Sequence, residues 1–478
     1  MNQENETKMK SYTKKSRHDI EHDYARHHTI HAPTKDEKRT IHSDKPSGIF
    51  QTDLNWNVIR EKSYNELADI IQNTRELHEM MPDLSSAKHT DLLLYIAQHA
   101  KSLSLNIFVE GVFDFMPDGY GFIRFAECDY LSSGYDIYVS HQHIRKYQFR
   151  IGDKIKGTIR LPKSGEKYCA LDEVLLLNNQ TIESVLARER VSFEKLTPIF
   201  PNRPIKFESK RISDAPTLRL IDIVAPMGFG QRTLIVAPPK AGKTQILKAI
   251  AHAIEDNHPE VVLFALLVDE RPEEVTEMKR SIRGEVVSST FDEHATRHVQ
   301  VTEMTLERAR RLVEQGKDVV ILLDSITRLG RAYNAFVPSS GKVLSGGIEA
   351  AALQRPKKFF GSARNLEEAG SLTIIATALI ETGSKMDEVI FEEFKSTGNC
   401  EVQLVRALAE RNIYPAISIP ASSTRRDDLI LSESGLAKRQ LLKRSLSQGN
   451  TSDATESLLK KIKLTKNNDE FFERLSSL

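Results

Sequence analysis

The residues Ala237-Pro238-Pro239-Lys240-Ala241-Gly242-Lys243-Thr244 lie between an apolar run, Thr233 to Val236, and a helix-like stretch, Gln245 to Ile254. A strand feeding a loop that ends in Gly-Lys-Thr at the mouth of a helix is the arrangement that cradles phosphates. The helix N-terminus offers free N–H groups and partial positive charge to phosphate oxygens. In that chemistry Lys243 reaches the β- and γ-phosphates, and Thr244 gives a hydroxyl to Mg²⁺. The strict pattern has Gly where this chain has Ala237, so the loop alone is an imperfect match.

Two further strand ends support it. Val319-Val320-Ile321-Leu322-Leu323 is a continuous apolar run, as a strand buried on both faces of a parallel sheet requires, and it ends in Asp324. Ligands of open α/β sheets bind at such carboxyl ends, so Asp324 is the expected Mg²⁺-holding carboxylate. Between these elements Val261 to Val268 forms another apolar run, ending in Asp269-Glu270-Arg271. Glu270 is the candidate for polarising an attacking water. Any one of the three could be an ordinary strand end; their order along one domain argues for a nucleotide site.

With 478 residues the chain exceeds the size at which one core stops growing, and two or three domains are expected. There is no run of 18 or more apolar residues for a membrane helix, and the N-terminus lacks the apolar core of a secretory signal. Cys128, Cys169 and Cys400 are odd in number and widely spaced, against a disulfide framework and for a reducing, cytoplasmic setting. Net charge is only +1, so bulk electrostatics does not announce a nucleic-acid binder. Locally, eight Lys/Arg face three acids between Asp136 and Lys167.

Five segments follow from pattern. Residues 1–55 are polar, with few apolar side chains and scattered His, and are expected to be a disordered extension. Residues 56–105 carry helical spacing, with Leu67, Ile70 and Ile71 on one face, and Leu92, Leu93, Ile96 and Ala97 on another. Over residues 106–180 the period becomes two, in short runs punctuated by Gly, Asp and Pro, which predicts a small OB-like barrel. Alternation puts Phe122 and Arg124 on one strand face, expected to be exposed with Tyr120 and Tyr138 as a stacking platform for single-stranded bases. Residues 181–214, with Pro198, Pro201 and Pro204, read as a linker. Residues 215–478 alternate apolar strands with helices, a mostly parallel α/β domain with further strands at Gly370–Thr377 and Ala416–Ile419, and with C-terminal helices.

A barrel followed by a P-loop domain of the RecA/ATP-synthase type resembles the Rho family of transcription termination factors. The resemblance rests on APPKAGKT (237–244), LLVDERPEEVTEM (266–278), LLDSITRLGRAYN (322–334), PSSGKVLSGG (338–347), GSKMDEVIFEEFKSTGN (383–399) and YPAI (414–417). It covers roughly Leu67 to the C-terminus, and Ala237 is itself the form seen in that family. It implies a homohexameric ring that binds single-stranded RNA with a preference for pyrimidines, especially cytosine. Such a ring hydrolyses ATP, moves 5′ to 3′ and releases transcripts from RNA polymerase, with elongation factors as further partners. By motif, Pro239, Lys240, Ala241, Gly242, Lys243, Thr244 and Gln245 would bind nucleotide and Tyr414 would stack on the adenine. Asp324 and Thr244 would hold Mg²⁺, Glu270 would activate water, Arg271 would sit beside the γ-phosphate, and Arg425 would be an arginine finger reaching a neighbouring subunit.

The same resemblance makes Tyr120, Phe122, Arg124, Asp136, Tyr138, Glu166 and Tyr168 a primary RNA site. Lys342 and Val343 would belong to one channel loop, and Gly383, Ser384 and Lys385 to a second. The chain departs from the family at Ser423, Ser418 and Asn412, where Gly, Asp and a basic residue are common; Arg411 stands beside the last. Two other readings share the core: a rotary or secretion-type ATPase subunit, and an RNA-binding or filament-forming protein whose ATP site regulates assembly. The first lacks a preceding RNA-stacking barrel. The second does not need the full set of Lys243, Glu270, Asp324 and Arg425.

Overall fold

The computed structural model describes residue 50 and residues 52–80, 83–84, 86–209, 215–339, 343–446 and 451–476. The polar extension up to residue 49 and Lys342 lie outside the described residues. The chain divides into two compact units between Arg190 and Val191.

The first unit joins helices to a barrel. After a short strand β1 (Leu54–Asn55) come α1 (Trp56–Arg60), α2 (Tyr64–Asn73), α3 (Arg75–Met80) and α4 (His89–Ser102). Ser63 caps α2 and forms a reciprocal capping box with Glu66. Asp91 receives the Lys88 N–H at 2.9 Å and fixes the start of α4. The barrel strands are β2 (Ile107–Phe115), β3 (Gly121–Arg124), β4 (Ile137–Val139), β5 (Lys154–Arg160) and β6 (Ala170–Leu177), with helix α5 (His141–Tyr147) after β4. Their order β2-β3-β4-β6-β5 closes because β5 pairs back onto β2. The unit ends in β7 (Gln180–Thr181) and α6 (Ile182–Leu186). Leu67, Ile71, Leu93 and Ile96 share one buried core with Phe113, Ile123, Ile137 and Ile159, so helices and barrel stabilise one another.

The second unit opens with β8 (Pro198–Ile199), β9 (Pro204–Ile205), α7 (Ala215–Val224) and β10 (Met227–Gly228). Then strands and helices alternate: β11 (Arg232–Ala237), α8 (Lys243–Asn257), β12 (Val262–Glu270), α9 (Pro272–Ser281), β13 (Glu285–Thr290), α10 (Ala295–Glu314), β14 (Val319–Asp324) and α11 (Ile326–Phe336). The hairpin β15 (Val343–Leu344) and β16 (Ile348–Glu349) leads to α12 (Gln354–Gly361), β17 (Arg364–Leu366), β18 (Ser371–Leu379), α13 (Lys385–Lys395) and β19 (Cys400–Gln403). The chain finishes with α14 (Arg406–Glu410), β20 (Ser423–Thr424), α15 (Glu433–Leu446), α16 (Thr451–Lys463) and α17 (Asn468–Ser476). The main sheet runs β13-β12-β14-β18-β11-β19-β20, parallel except for β20. The P-loop strand β11 therefore lies between β18 and β19, and the carboxyl ends of β12, β14, β18 and β11 open on one edge. Leu267 sits level with Asp324, and Ala237 with Leu379.

Three details differ from the sequence expectation. Ala416–Ile419 is not a strand: Ile417 makes one isolated bridge to Leu404, and Pro415 and Pro420 on either side lack an N–H for a ladder. Glu285–Thr290 and Cys400–Gln403 are strands that polar residues hid from the pattern. Inside the stretch read as linker, α6 belongs to the first unit, while Pro198–Ile199 pairs with β17 and extends the sheet of the second.

Candidate active site and nucleic-acid interface

The loop after Ala237 turns through two left-handed residues, Lys240 at φ 64° and Gly242 at φ 90°. Gly242 caps α8, and a Cβ there would lie 3.8 Å from the Tyr414 ring. That ring therefore rests against the loop while staying 50% exposed. Pro239, Lys240 and Gln245 are exposed around it, and Ala241 is buried beneath.

Lys243, on the first turn of α8, donates to both Asp324 oxygens at 2.8 and 2.7 Å and reaches Glu270 at 3.5 Å. Burial pulls the lysine pKa down, but the Asp324 and Glu270 carboxylates outweigh it and hold it above its ordinary value. Asp324 also accepts a hydrogen bond from Thr377 Oγ1 at 2.7 Å. Glu270 is 2% exposed. Burial, reinforced by Asp324, pushes its pKa up against the pull of Lys243 and Arg328. A carboxylate with raised proton affinity, fixed at a strand end, is chemically suited to accept a proton from water. Thr244 Oγ1 lies 3.4 Å from Glu274. A hydroxyl and a carboxylate are hard oxygen donors of the kind Mg²⁺ takes, leaving its other positions to water and phosphate. Among the described residues no group of three or more His, Cys, Asp or Glu is placed to hold a metal ion.

Arg271 is exposed at the N-cap of α9. Sequence reasoning missed Arg328, which lies 3.5 Å from Asp269 and 3.6 Å from Glu270. Its signal was present in LLDSITRLGRAYN, four residues after Asp324. Arg425 is also exposed, but its N–H bonds Asn399 O, and Asn399 receives the Arg232 N–H at the amino end of β11. The P-loop follows the other end, about 17 Å away at roughly 3.3 Å per residue. An arginine side chain cannot span that, so Arg425 is out of reach of its own chain's loop. Its segment is well held. Thr424 Oγ1 bonds Pro226 O at 2.7 Å, Lys443 Nζ bonds Ser422 O at 2.6 Å, and Arg439 pairs with Asp427 and bonds Ile223 O at 2.8 Å. Arg411, beside Asn412, is engaged by Asp453 at 3.1 Å and Glu456 at 3.5 Å.

In the barrel the aromatic side chains do gather. Tyr120 lies 5.7 Å from Phe122 and 5.6 Å from Tyr138 between ring centres, and Tyr168 lies 5.0 Å from Phe122. The three tyrosines are half-buried, and Lys167 lies over the Tyr168 ring at 4.9 Å. The expected exposure of Phe122 and Arg124 does not hold: both are 4% exposed. Arg124 turns inward to pair with the buried Asp136 and, at 3.4 Å, with Asp114, and its guanidinium stacks 4.9 Å from the Phe122 ring. Glu166 is exposed and bidentate to Arg160 at 2.6 and 3.0 Å, which lowers its pKa to about 2.

The two candidate channel loops meet. Gly346 is left-handed, and a Cβ on it would stand 2.9 Å from the Lys385 carbonyl. Val343, Gly383 and Lys385 are exposed, and Ser384 occupies the N-cap position of α13 without a side-chain capping bond. Both loops are tied to α11, the helix that starts beside Asp324. Asn334 bonds Gly347 O at 3.2 Å and the Glu349 N–H at 2.8 Å. Arg331 grips Asp387 through two bonds of 2.7 Å, and Thr382 Oγ1 bonds the same carboxylate at 2.7 Å.

Known proteins match both units. Residues 109–183 match the Rho termination factor RNA-binding domain, and residues 217–424 match the nucleotide-binding domain of the ATP synthase alpha/beta family. Transcription termination factor Rho of Chromobacterium violaceum is 54% identical over 80% of this chain and 92% of its own length. That of Pseudomonas aeruginosa is 52% identical over 88% and 99%, and that of Escherichia coli K12 is 53% identical over 83% and 94%. This chain belongs to the Rho family of transcription termination factors. A solved ATPase from a bacterial type III secretion system covers 59% of this Rho-family chain and 86% of its own, at 23% identity and a TM-score of 0.50; it shares the fold of the core.

The Rho-type barrel depends on the buried Arg124–Asp136 pair for its aromatic strand. Arg124→Ala strands Asp136 and Asp114 without their partner and should destabilise the first unit by about 3–5 kcal/mol. Trp56, the one tryptophan of the chain, is buried in that unit, so denaturant unfolding followed by its fluorescence reads the effect directly.

Proposed function

We propose that this Rho-family chain is an RNA-stimulated ATPase that works as a homohexameric ring in the cytoplasm, pulling single-stranded RNA 5′ to 3′ to release transcripts from RNA polymerase. The observation that carries the reading is helix α11. It starts next to Asp324 at the nucleotide site and holds both channel loops through Asn334 and Arg331. Eleven residues at 1.5 Å each make a rod of about 16 Å. A rigid element that contacts both sites is a physical route by which RNA in the channel alters the geometry at Asp324.

In this mechanism Lys243 leaves Asp324 for the β- and γ-phosphates, while the N–H groups at the start of α8 hold the remaining oxygens. Mg²⁺ held by Thr244 and Asp324 would neutralise phosphate charge. Glu270 orients the attacking water and takes its proton. Arg271 approaches the γ-phosphate, and Tyr414 stacks on the adenine. Arg425, too far from its own loop, reaches the site of the next subunit, so hydrolysis depends on ring closure. RNA first meets the Tyr120, Tyr138 and Tyr168 faces. The buried Phe122, Arg124 and Asp136 lie beneath that platform, and a cytosine-rich preference is carried over from the family resemblance. Val343, Lys342 and Gly383 to Lys385 then grip the backbone. Elongation factors are proposed as further partners.

The reading is tested by steady-state ATPase activity without RNA, with poly(C) and with double-stranded DNA. Stimulation by poly(C) alone is expected; equal rates in all three would mean that RNA does not drive this site. Arg331→Ala frees the second loop from α11. It should leave poly(C) affinity unchanged and cut RNA-stimulated turnover at least tenfold, and full stimulation in that variant would remove α11 as the link. Tyr138→Ala should weaken single-stranded RNA binding by roughly 1–3 kcal/mol, the worth of one base–aromatic stack. An unaltered dissociation constant in a filter-binding titration would return Tyr138 to a packing role.

A further inference from the structure

Side chains along a strand alternate between the two faces of a sheet. On β12 the odd-numbered Leu263, Ala265 and Leu267 join the core shared with α8 residues Ile246 and Ile250. On β14 the even-numbered Val320 and Leu322 do the same, and Asp324 continues that face to meet Lys243. Leu267 is level with Asp324. The next α8-facing position on β12 is therefore residue 269, and a regular strand would turn Glu270 to the opposite face. Yet Glu270 points at Lys243, 3.5 Å away.

The backbone explains this. Val268 pairs with Ser289 and Glu270 with Thr290, so Asp269 is an extra residue without a partner on β13. Asp269 has φ 56°, in the left-handed region. One bulged residue shifts the alternation by one, and Glu270 takes the place that residue 269 would hold. The Asp269 side chain is left a third exposed, 3.5 Å from Arg328.

We propose that Asp269 is a positioning residue: its left-handed backbone at the β12 bulge turns Glu270 onto the nucleotide face. This deepens the reading of Glu270 as the group that activates water and rests on it. The requirement is conformational. Gly enters the left-handed region at no steric cost, Asp and Asn do so readily, Ala with strain, and β-branched residues scarcely at all. A substituent that pulls residue 269 back to extended geometry rotates Glu270 away from the water it must hold, although the P-loop is untouched.

The test compares Asp269→Val, Asp269→Ala, Asp269→Gly and Glu270→Gln in the full-length protein. Each is measured for ATP dissociation constant, poly(C) affinity and kcat of poly(C)-stimulated hydrolysis. Asp269→Val is expected to lose about 100-fold in kcat, the scale of an ångström-sized misplacement, while both affinities stay within about twofold. Asp269→Gly should recover kcat to within about threefold of the parent, because glycine keeps the turn. Should Asp269→Val not fold, Asp269→Ala carries the test, with kcat between those of the Gly variant and Glu270→Gln at unaltered ATP affinity. Full turnover in Asp269→Val or Asp269→Ala, alongside a dead Glu270→Gln, overturns the proposal and leaves the Glu270 reading standing. Equal loss in Asp269→Gly and Asp269→Val overturns it too, since the carboxylate beside Arg328 would then be what matters. Substantial turnover in Glu270→Gln removes the base itself, and the proposal with it.

Discussion

The arrangement of the second unit turns on one buried charge cluster: Lys243 against Asp324 and Glu270. Two carboxylates at neighbouring strand ends, 1% and 2% exposed, repel one another and lack water. The ammonium between them, helped at Glu270 by Arg328 at 3.6 Å, offsets that repulsion. That pairing constrains the backbone around it. β11 must end where α8 begins, so that Lys243 sits on the first helical turn. β14 must end level with Leu267, so that Asp324 faces α8. β12 must break its alternation at Asp269 to bring Glu270 round. The cluster also gives the site a chemical logic: on the proposed reading Lys243 exchanges carboxylates for phosphate oxygens, and Mg²⁺ would replace it at Asp324 while Arg328 stays beside Glu270.

The same cluster connects to the rest of the unit through α11. Ser325, the residue after Asp324, caps that helix through its hydroxyl, and Arg328 one turn on reaches back to Asp269 and Glu270. Arg331 and Asn334 follow at three-residue spacing and hold the two exposed loops. Residues at such intervals lie along one side of a helix. One face of α11 thus passes, from its start to its end, Asp324, Glu270 and the two exposed loops. On the proposed reading this is the mechanical link of the motor. Tight packing beneath it, with Leu329, Ala332 and Tyr333 buried, favours movement as a body over local bending.

Legibility in the sequence followed burial. The P-loop, Asp324 and the apolar strands could be read because a strand covered on both faces must be continuously apolar, which interrupts a polar sequence visibly. Edge and half-covered elements carried no such signal. Glu285–Thr290 has only two apolar residues, and Cys400–Gln403 alternates buried with half-exposed positions over four residues. In the barrel the spacing located the aromatic strand but misjudged Arg124. Period-two alternation says that Phe122 and Arg124 share a face; it cannot say that Asp114 and Asp136 line that face and draw the arginine inward. The bulge at Asp269 was equally hidden, since an aspartate at a strand end looks the same whether φ is negative or positive.

Arg425 shows how far one chain can go alone. Its backbone is fixed at the amino end of β11, and the phosphate loop is fixed at the carboxyl end of the same strand. The two cannot approach without dismantling the central sheet. The segment around Arg425 is nevertheless firmly held: a buried threonine hydroxyl, a lysine from α15 and the Arg439–Asp427 pair all anchor it. Stability alone does not call for so much order around an exposed arginine. It is intelligible if the rigid end of one chain's sheet must present a cation, at fixed height, to the opposite end of another's. Each chain would then carry two halves of two sites, and only a closed assembly of copies would make any of them whole.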